Sequence, residues 1–166
     1  MASRFLSTRD QGLFTSINRE LVGDPKSSAQ NGDGVINQTA VLYRISVADT
    51  TTNLYGEAAG GKTYLSGVKV PCMISADDID FNTDEFGIDA QQTAQFWLER
   101  EYLTELNLVI EPGDIFDWNY AHFEIGSINE NQLVGGNVDS NWSVVCNTFL
   151  VRRSNLQIER IRQGVN

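Results

Sequence analysis

From Thr39 onward, apolar side chains recur at every second position in short runs, and turn residues separate the runs. Residues 39–47 alternate in this way, residues 68–74 repeat the pattern, and residues 142–152 form the longest run rich in β-branched and aromatic side chains. A period of two is typical of a β-strand and does not fit a helix. Several short strands without an alternating strand–helix rhythm predict a mainly β fold, a single β-barrel or sandwich domain.

The rest of the sequence after Thr39 predicts further strands and one short helix. Residues 92–99 form a third candidate strand, residues 101–106 a short helix, and residues 115–118 and 122–128 a hairpin that reverses at Asn119-Tyr120. The run at 142–152 is predicted to be a central strand, because its residues suit a position buried on both sides. Pro71 indicates an edge or a bulge. The pattern of residues 154–163 is ambiguous between helix and strand.

One amphipathic helix is predicted before the β region, over residues 7–22. Ser7 is a candidate N-cap, with Asp10 three residues later as a capping-box partner, and Gly23 begins the segment that ends the helix. The apolar residues on one face of this helix are Leu13, Phe14, Ile17 and Leu21. We therefore divide the chain into an N-terminal helical arm and flexible loop (1–34), a β domain (35–153) and a C-terminal extension (154–166). Short helices are expected at the periphery of the β domain.

The charge balance restricts the partners. Twelve basic and 22 acidic residues among 166 give a net charge of −10, which disfavours direct reading of DNA and binding to anionic lipid. No apolar run approaches the roughly 20 residues of a membrane span, and the first ten residues lack the apolar core of a signal peptide. Cys72 and Cys146 stand apart in apolar surroundings, as expected of small core residues in a protein made in the cytoplasm.

The sharpest chemical motif is Gly56-Glu57-Ala58-Ala59-Gly60-Gly61-Lys62-Thr63, which satisfies the P-loop pattern literally. A phosphate-binding P-loop needs a helix directly after the motif. The sequence that follows contains Gly67, Pro71 and alternating valines, and predicts a strand. We interpret the motif as a glycine-rich hairpin loop with an exposed lysine.

Other candidate sites are weaker. Asn31-Gly32-Asp33-Gly34 lacks two essential carboxylates of a calcium loop. His122 is the one histidine, and no serine lies in the G-x-S-x-G pattern that a catalytic triad with this histidine would need. The acidic residues between 77 and 85 are more typical of a solvated loop than of a metal site. The three tryptophans are expected in core or subunit contacts rather than in a sugar-binding groove: Trp97, Trp118 and Trp142. The sequence thus predicts no catalytic residue, no cofactor and no metal.

Two segments together resemble a known family. The first is Asn53-Leu54-Tyr55-Gly56-Glu57, followed by Lys62-Thr63-Tyr64. The second is Glu111-Pro112-Gly113-Asp114-Ile115-Phe116, followed by Phe123-Glu124-Ile125. In this order the pair is similar to the neck proteins of contractile-tailed bacteriophages, and the likeness spans residues 41–133.

The matched residues have a physical reading of their own. Pro112-Gly113-Asp114 predicts a tight turn that starts a strand, with Gly113 free to adopt a positive φ. Ile115, Phe123 and Ile125 are expected on one buried face. Such positions are turn and core positions, and they predict a structural protein rather than an enzyme.

The resemblance implies a head–tail connector subunit that closes the filled head. Six copies would form a ring between the portal-adaptor protein and the tail terminator, and DNA would pass through the channel without sequence-specific binding. The protein would reside in the virion after assembly in the host cytoplasm. A tail terminator or tail-completion ring is the alternative, followed by a P-loop enzyme or a glycan-binding module. The residues expected to contact neighbouring subunits are Leu13, Phe14, Ile17, Leu21, Leu156 and Ile158.

Overall fold

In the computed structural model, which describes residues 7–23, 34–36, 38–50, 61–84, 87–130, 141–151 and 156–157, seven strands form one antiparallel sheet. The order of the strands in this sheet is β3-β1-β8-β9-β10-β7-β4. Its members are β1 (Thr39–Tyr43), β3 (Val68–Pro71), β4 (Met73–Ala76), β7 (Thr93–Glu99), β8 (Ile115–Trp118), β9 (Ala121–Asn129) and β10 (Ser143–Val151). The prediction of a mainly β domain is confirmed.

Two helices and two further pairs of strands complete the fold. The helices α1 and α2 cover Thr8–Val22 and Arg100–Glu105. A parallel pair joins β2 (Lys62–Thr63) to β11 (Leu156–Gln157), and a hairpin joins β5 (Asp80–Asp84) to β6 (Gly87–Gln91).

The two ends of the seven-stranded sheet are adjacent in the chain. Only Cys72 separates the last residue of β3, which pairs with β1, from the first residue of β4, which pairs with β7. The sheet must therefore curl until its first and last strands follow one another. It forms a sandwich-like domain rather than an open, flat sheet.

Aromatic contacts confirm this curvature. Phe96 of β7 stacks on Phe116 of β8 with ring centroids 4.4 Å apart, although β9 and β10 lie between these strands in the sheet. Neighbouring strands are about 4.8 Å apart, so a flat sheet would place the two rings roughly 14 Å apart. Phe123 and Trp118 pack edge-on to Phe96 across the same interior.

The core is the inner face of this curled sheet. Its buried members alternate along each strand, as the period-two pattern predicted, and include Leu42, Val70, Phe96, Leu98, Phe116, Phe123, Ile125, Val144 and Cys146. Tyr102 and Leu103 of α2 are buried against the same cluster. Cys72 is buried too, which confirms both cysteines as free core residues.

Two local predictions are confirmed in detail. Ser7 caps α1 by accepting the Asp10 backbone N–H on Oγ at 3.2 Å, and Gly23 ends the helix with φ +116°. Asn119 and Tyr120 connect β8 to β9 with φ of +50° and +62°. Two successive positive φ values are typical of a type I′ hairpin turn, whose twist matches that of the flanking strands.

Two other predictions were wrong. The acidic segment is a loop only at residues 77–79, because Asp80 and Asp84 lie in β5 of the β5–β6 hairpin. Ile115 does not share a face with Phe123 and Ile125. Ile115 pairs with Glu124, and Phe116 pairs with Phe123. Because neighbouring residues of a strand point to opposite faces, Ile115 lies on the other face of the sheet. Ile115 is fully buried all the same. The loop predicted over residues 26–34 lies outside the described residues except for Gly34.

Candidate functional site

The turn at residues 111–114 brings the two family-like segments together. The Asp114 N–H donates to the Glu111 carbonyl at 3.2 Å, and Gly113 has φ +97°. Proline at the second position and a positive φ at the third are typical of a type II turn. Gly113 N–H donates to the Ile125 carbonyl at 2.8 Å, and Ile125 N–H returns a bond to Asp114 at 2.9 Å. The predicted turn is thus present and is fixed to β9.

The Asp114 side chain holds two chain segments together. Its carboxylate is 2% exposed and accepts the Ile45 N–H on Oδ1 at 2.9 Å and the Glu111 N–H on Oδ2 at 3.0 Å. Burial raises the pKa of Asp114, while these two backbone donors act in the opposite direction. The side chain therefore links the segment after β1 to the start of β8.

Lys62 supplies the contact from the first segment. Its Nζ forms an ion pair with Oε1 of Glu124, on β9. A Cβ added at Gly113 would lie 3.8 Å from Lys62 Nζ and 3.0 Å from Ile45 Cδ1, so this turn lies directly against the ion pair. We call Lys62, Gly113, Asp114 and Glu124 the turn cluster.

Tyr64 lies beside the turn cluster. Burial raises the pKa of its phenol to about 12, and the charges of Glu124 and Asp114 add to the shift. The phenol therefore stays protonated across the physiological range. Lys62-Thr63-Tyr64, Gly113-Asp114 and Glu124, all quoted for the resemblance, lie close together in the fold.

The described part of the P-loop motif does not have the structure that phosphate binding needs. Lys62 and Thr63 form β2, and Ser46 N–H donates to the Thr63 carbonyl at 2.8 Å. Tyr64 then bridges Ile45, and β3 follows from Val68. Residues 61–71 therefore contain two strands and no helix, where a P-loop requires a helix N-terminus. The strand expected here is confirmed.

Helix α1 is oriented in an unusual way. Its half-buried face is mostly polar and consists of Thr15, Asn18, Arg19 and Val22. The predicted contact residues on its apolar face are between 43% and 59% exposed: Leu13, Phe14, Ile17 and Leu21. An amphipathic helix normally buries its apolar stripe. Here the stripe stays about half exposed, and the helix turns a mostly polar face towards the body of the same chain.

Arg19 explains this orientation. Its guanidinium lies 2.8 Å from Glu105, 3.6 Å from Glu101 and 3.7 Å from Glu99. The Glu105 hydrogen bond is the largest cause of the raised pKa of Arg19. Burial raises the pKa of Glu99, which the Arg19 charge counteracts. The three acids belong to β7 and α2, so the contact attaches the helix to the β domain.

Phe14 is the apolar member that also touches the body. Its ring packs edge-on against Trp142, with centroids 4.7 Å apart. Sequence reasoning did not find the Arg19 contact. The cluster of Glu99, Glu101 and Glu105 is visible in the sequence, but its basic partner lies 86 residues before Glu105.

The other predicted residues are placed as follows. Leu54, Tyr55, Gly56, Glu57 and Ile158 lie outside the described residues, and Leu156 lies in β11. Phe123 and Ile125 are buried on the core side of β9. The contacts expected of the six subunit-contact residues therefore stay predictions.

The residues considered for chemistry are placed as follows, with Cys72 and Cys146 in the same core cluster. His122 is half-buried on β9. Trp118 packs against the core and Trp142 against Phe14. Burial raises the pKa of both Cys72 and Cys146 to about 12. Within the described ranges, no three His, Cys, Asp or Glu side chains come together in a way that could hold a metal ion.

These observations define a mainly β domain with an internally fixed turn cluster and an outward-facing apolar helix stripe. No protein-family model and no curated protein matches the sequence. Among solved structures, the chain is similar to one described as part of the "virion of native gene transfer agent (GTA) particle". The TM-score is 0.47 and the identity 14%, over 69% of this chain and 94% of that chain. A likeness of this degree assigns no family. Across the described residues, no helix is long and apolar enough to cross a membrane.

Proposed function

We propose that this chain is a structural subunit of a phage virion, and specifically a neck protein of the head–tail connector. In this role copies of the chain form a ring, with six as the expected number, that closes the filled head, docks the tail and lets DNA pass. The ring contacts the portal-adaptor protein on one side and the tail terminator on the other. The role is structural rather than catalytic.

One observation carries the proposal: among the described residues of the resemblance, the turn cluster joins separate chain segments. Lys62 pairs with Glu124, and Gly113 and Asp114 bond to Ile125 and Ile45. These groups already bind within the chain, which suits a part that must keep one shape in an assembly. The negative charge of −10 also suits a channel that must not retain DNA.

The exposed stripe of α1 supports assembly with other chains. Four large apolar side chains on one helix face are an unusual feature of a surface that meets only water. Because Leu13, Ile17 and Leu21 are 43–59% exposed, a neighbouring subunit can cover them without disturbing the contact between Phe14 and Trp142. The resemblance does not separate a neck ring from a tail-terminator or tail-completion ring, and the second remains the alternative.

Disruption of the gene in the phage that encodes it tests the proposal. Electron microscopy of lysates should show DNA-filled heads beside complete, unattached tails. Complete, joined particles would overturn a structural role in the neck. Aberrant tails beside normal heads would instead favour the tail-terminator alternative.

Complementation with α1 variants tests the helix stripe. Leu13→Glu with Ile17→Glu should leave the purified protein folded and fail to restore joined particles. Gly12→Glu with Ser16→Glu is the matched control, because it adds the same charge to exposed positions of the same helix. Deletion of residues 1–22 should likewise leave the β domain folded while assembly fails. Loss of the fold on deletion would contradict a role in subunit contacts.

A thermal-shift measurement with Mg-ATP tests the enzyme alternative. A ligand that binds only the native state raises Tm. We expect no shift at millimolar Mg-ATP. A rise that disappears in Lys62→Ala would restore nucleotide binding as a candidate.

A further inference from the structure

The turn between β8 and β9 places a large aromatic side chain at a backbone position that suits glycine. Asn119 and Tyr120 have φ of +50° and +62°, and the second central residue of a type I′ turn is most often glycine. In the described part of the chain, the other non-glycine residues with positive φ are Asn107 and Asn119, and asparagine tolerates this region. A tyrosine there stores backbone strain.

The Tyr120 side chain is almost entirely exposed. Its exposed fraction is 87%, the highest among the large apolar and aromatic side chains that the structure describes. The ring therefore contributes little of the apolar burial by which aromatic residues usually stabilise a fold. Asparagine or glycine would suit the turn better, so folding of the single chain does not account for a tyrosine. Strained residues of this kind are concentrated at binding and active sites.

The strand registers place Tyr120 at the end of the sheet opposite α1. His122, two residues after Tyr120, pairs with Val151, the last residue of β10. Because β10 runs antiparallel to β7, the first residue of β7, Thr93, lies at this end. The ion pairs of α1 include Glu99, the last residue of β7. The seven residues of β7 separate the two ends by roughly 20 Å. We call the end with Thr93 the Tyr120 end.

The Tyr120 end also carries exposed apolar side chains among acids. The Asp77 N–H donates to the carbonyl of the first residue of β7 at 3.0 Å, so the segment that leads into β5 starts at this end. In this segment Ile79 and Phe81 are 50% and 65% exposed, and Asp78 and Asp80 are exposed beside them. Exposed aromatic side chains are typical of protein interfaces, and surrounding acids favour a partner with basic groups.

We propose that Tyr120 anchors a docking surface for a second virion protein, one that presents an apolar pocket within a basic surface. The inference rests on the proposed structural role and names the residue and the partner chemistry at one end of the subunit. A second copy of the chain does not fit this chemistry, because each copy carries a net charge of −10. A pocket that closes around the ring supplies the burial that Tyr120 lacks in the isolated subunit, and this burial offsets the strain of the turn.

Three full-length variants test the inference. Tyr120→Asn removes the ring and suits a positive φ, whereas Tyr120→Phe keeps the ring. Val47→Asn is the matched control, because it removes an apolar side chain that is 81% exposed elsewhere on the chain. Each variant gene is supplied to the phage in which the gene is disrupted, and joined particles are counted by electron microscopy. The purified proteins give Tm and, by sedimentation velocity, their self-association.

The expected results separate folding from docking. Tyr120→Asn should keep the wild-type Tm or raise it by roughly 2–4 °C, because the turn is relieved of strain. The same variant should reduce the number of joined particles by about tenfold or more, since an aromatic anchor carries much of the energy of a contact. Tyr120→Phe and Val47→Asn should restore joined particles to the wild-type level. The self-association of Tyr120→Asn should equal that of the wild type, because the partner is a different protein.

The other outcomes overturn the inference. A Tyr120→Asn gene that restores joined particles fully would remove the anchor, while the effect of gene disruption would still support the neck role. A lower Tm in Tyr120→Asn would show that the ring stabilises its own chain. An equal loss of joined particles with Val47→Asn would show that joining depends on exposed apolar surface in general. Weaker self-association of Tyr120→Asn would make a second copy the partner. Joined particles without the gene would overturn the proposed function and this inference with it.

Discussion

Removal of the Asp114 carboxylate should destabilise the fold more than removal of any exposed acid. The side chain is 2% exposed and accepts two backbone N–H groups, at 2.9 Å and 3.0 Å. Asp114→Ala leaves both donors without their acceptor, and each hydrogen bond to a charged group is worth about 1.5–3 kcal/mol. Burial of the charged carboxylate offsets part of the stability that these two hydrogen bonds contribute, as the raised pKa of Asp114 indicates.

The net expectation is a fall of about 2–4 kcal/mol in the unfolding free energy. For a domain of this length, about 1 kcal/mol moves Tm by roughly 2–4 °C, so Tm should fall by roughly 5–15 °C. Urea unfolding at pH 7, followed by tryptophan fluorescence, measures the free energy. Hydrogen exchange should show faster exchange at the Ile45 and Glu111 amides.

Two comparisons make this prediction specific. Asp114→Asn keeps one acceptor oxygen and should lose about half as much stability. Glu130→Ala removes an exposed acid and should stay within about 0.5 kcal/mol of the wild type. An Asp114→Ala protein as stable as the Glu130→Ala control, with both amides still protected, would refute the role of the carboxylate.

Three further predictions follow from other described residues. Gly113→Ala forces an alanine to φ +97° and should lower the unfolding free energy by about 1–3 kcal/mol. Gly12→Ala, in open space on α1, should raise it by about 0.5–1 kcal/mol in the same urea assay. Equal effects of the two substitutions would contradict the turn geometry. The pKa of Glu99 is raised in the folded state, so its contribution to stability is present at low pH and is lost as pH rises through that pKa. Urea unfolding from pH 4 to pH 8 should therefore show the wild type losing stability relative to Glu99→Gln, and a constant difference would contradict it. Cys72 and Cys146, with pKa about 12, should react with a thiol reagent at pH 8 only after unfolding, and fast labelling of the native protein would contradict their burial.

The sequence predicts the elements that depend on near neighbours. The N-cap at Ser7, the type II turn at Pro112-Gly113 and the reversal at Asn119-Tyr120 each need only a few consecutive residues, so the local pattern is sufficient. The buried alternation of β7, at Ala94, Phe96 and Leu98, follows from a period of two on one face.

The features that the sequence does not predict depend on distant residues. The orientation of α1 is set by Arg19, which meets acids 80 and more residues further along the chain. The β5–β6 hairpin has the low β-propensity of aspartate and glycine, so its pairing is visible only in the structure. The turn cluster could be suspected from the resemblance, but the Lys62–Glu124 pair that joins its segments spans 62 residues.

The adjacency of β3 and β4 has a consequence for solubility. A flat sheet of seven strands would expose two long rows of unpaired backbone groups, and such edges recruit other chains into aggregates. Here each edge strand is only four residues long. Pro71 also removes one N–H donor from β3. The main sheet therefore offers little edge for indiscriminate pairing with other copies, even at high protein concentration.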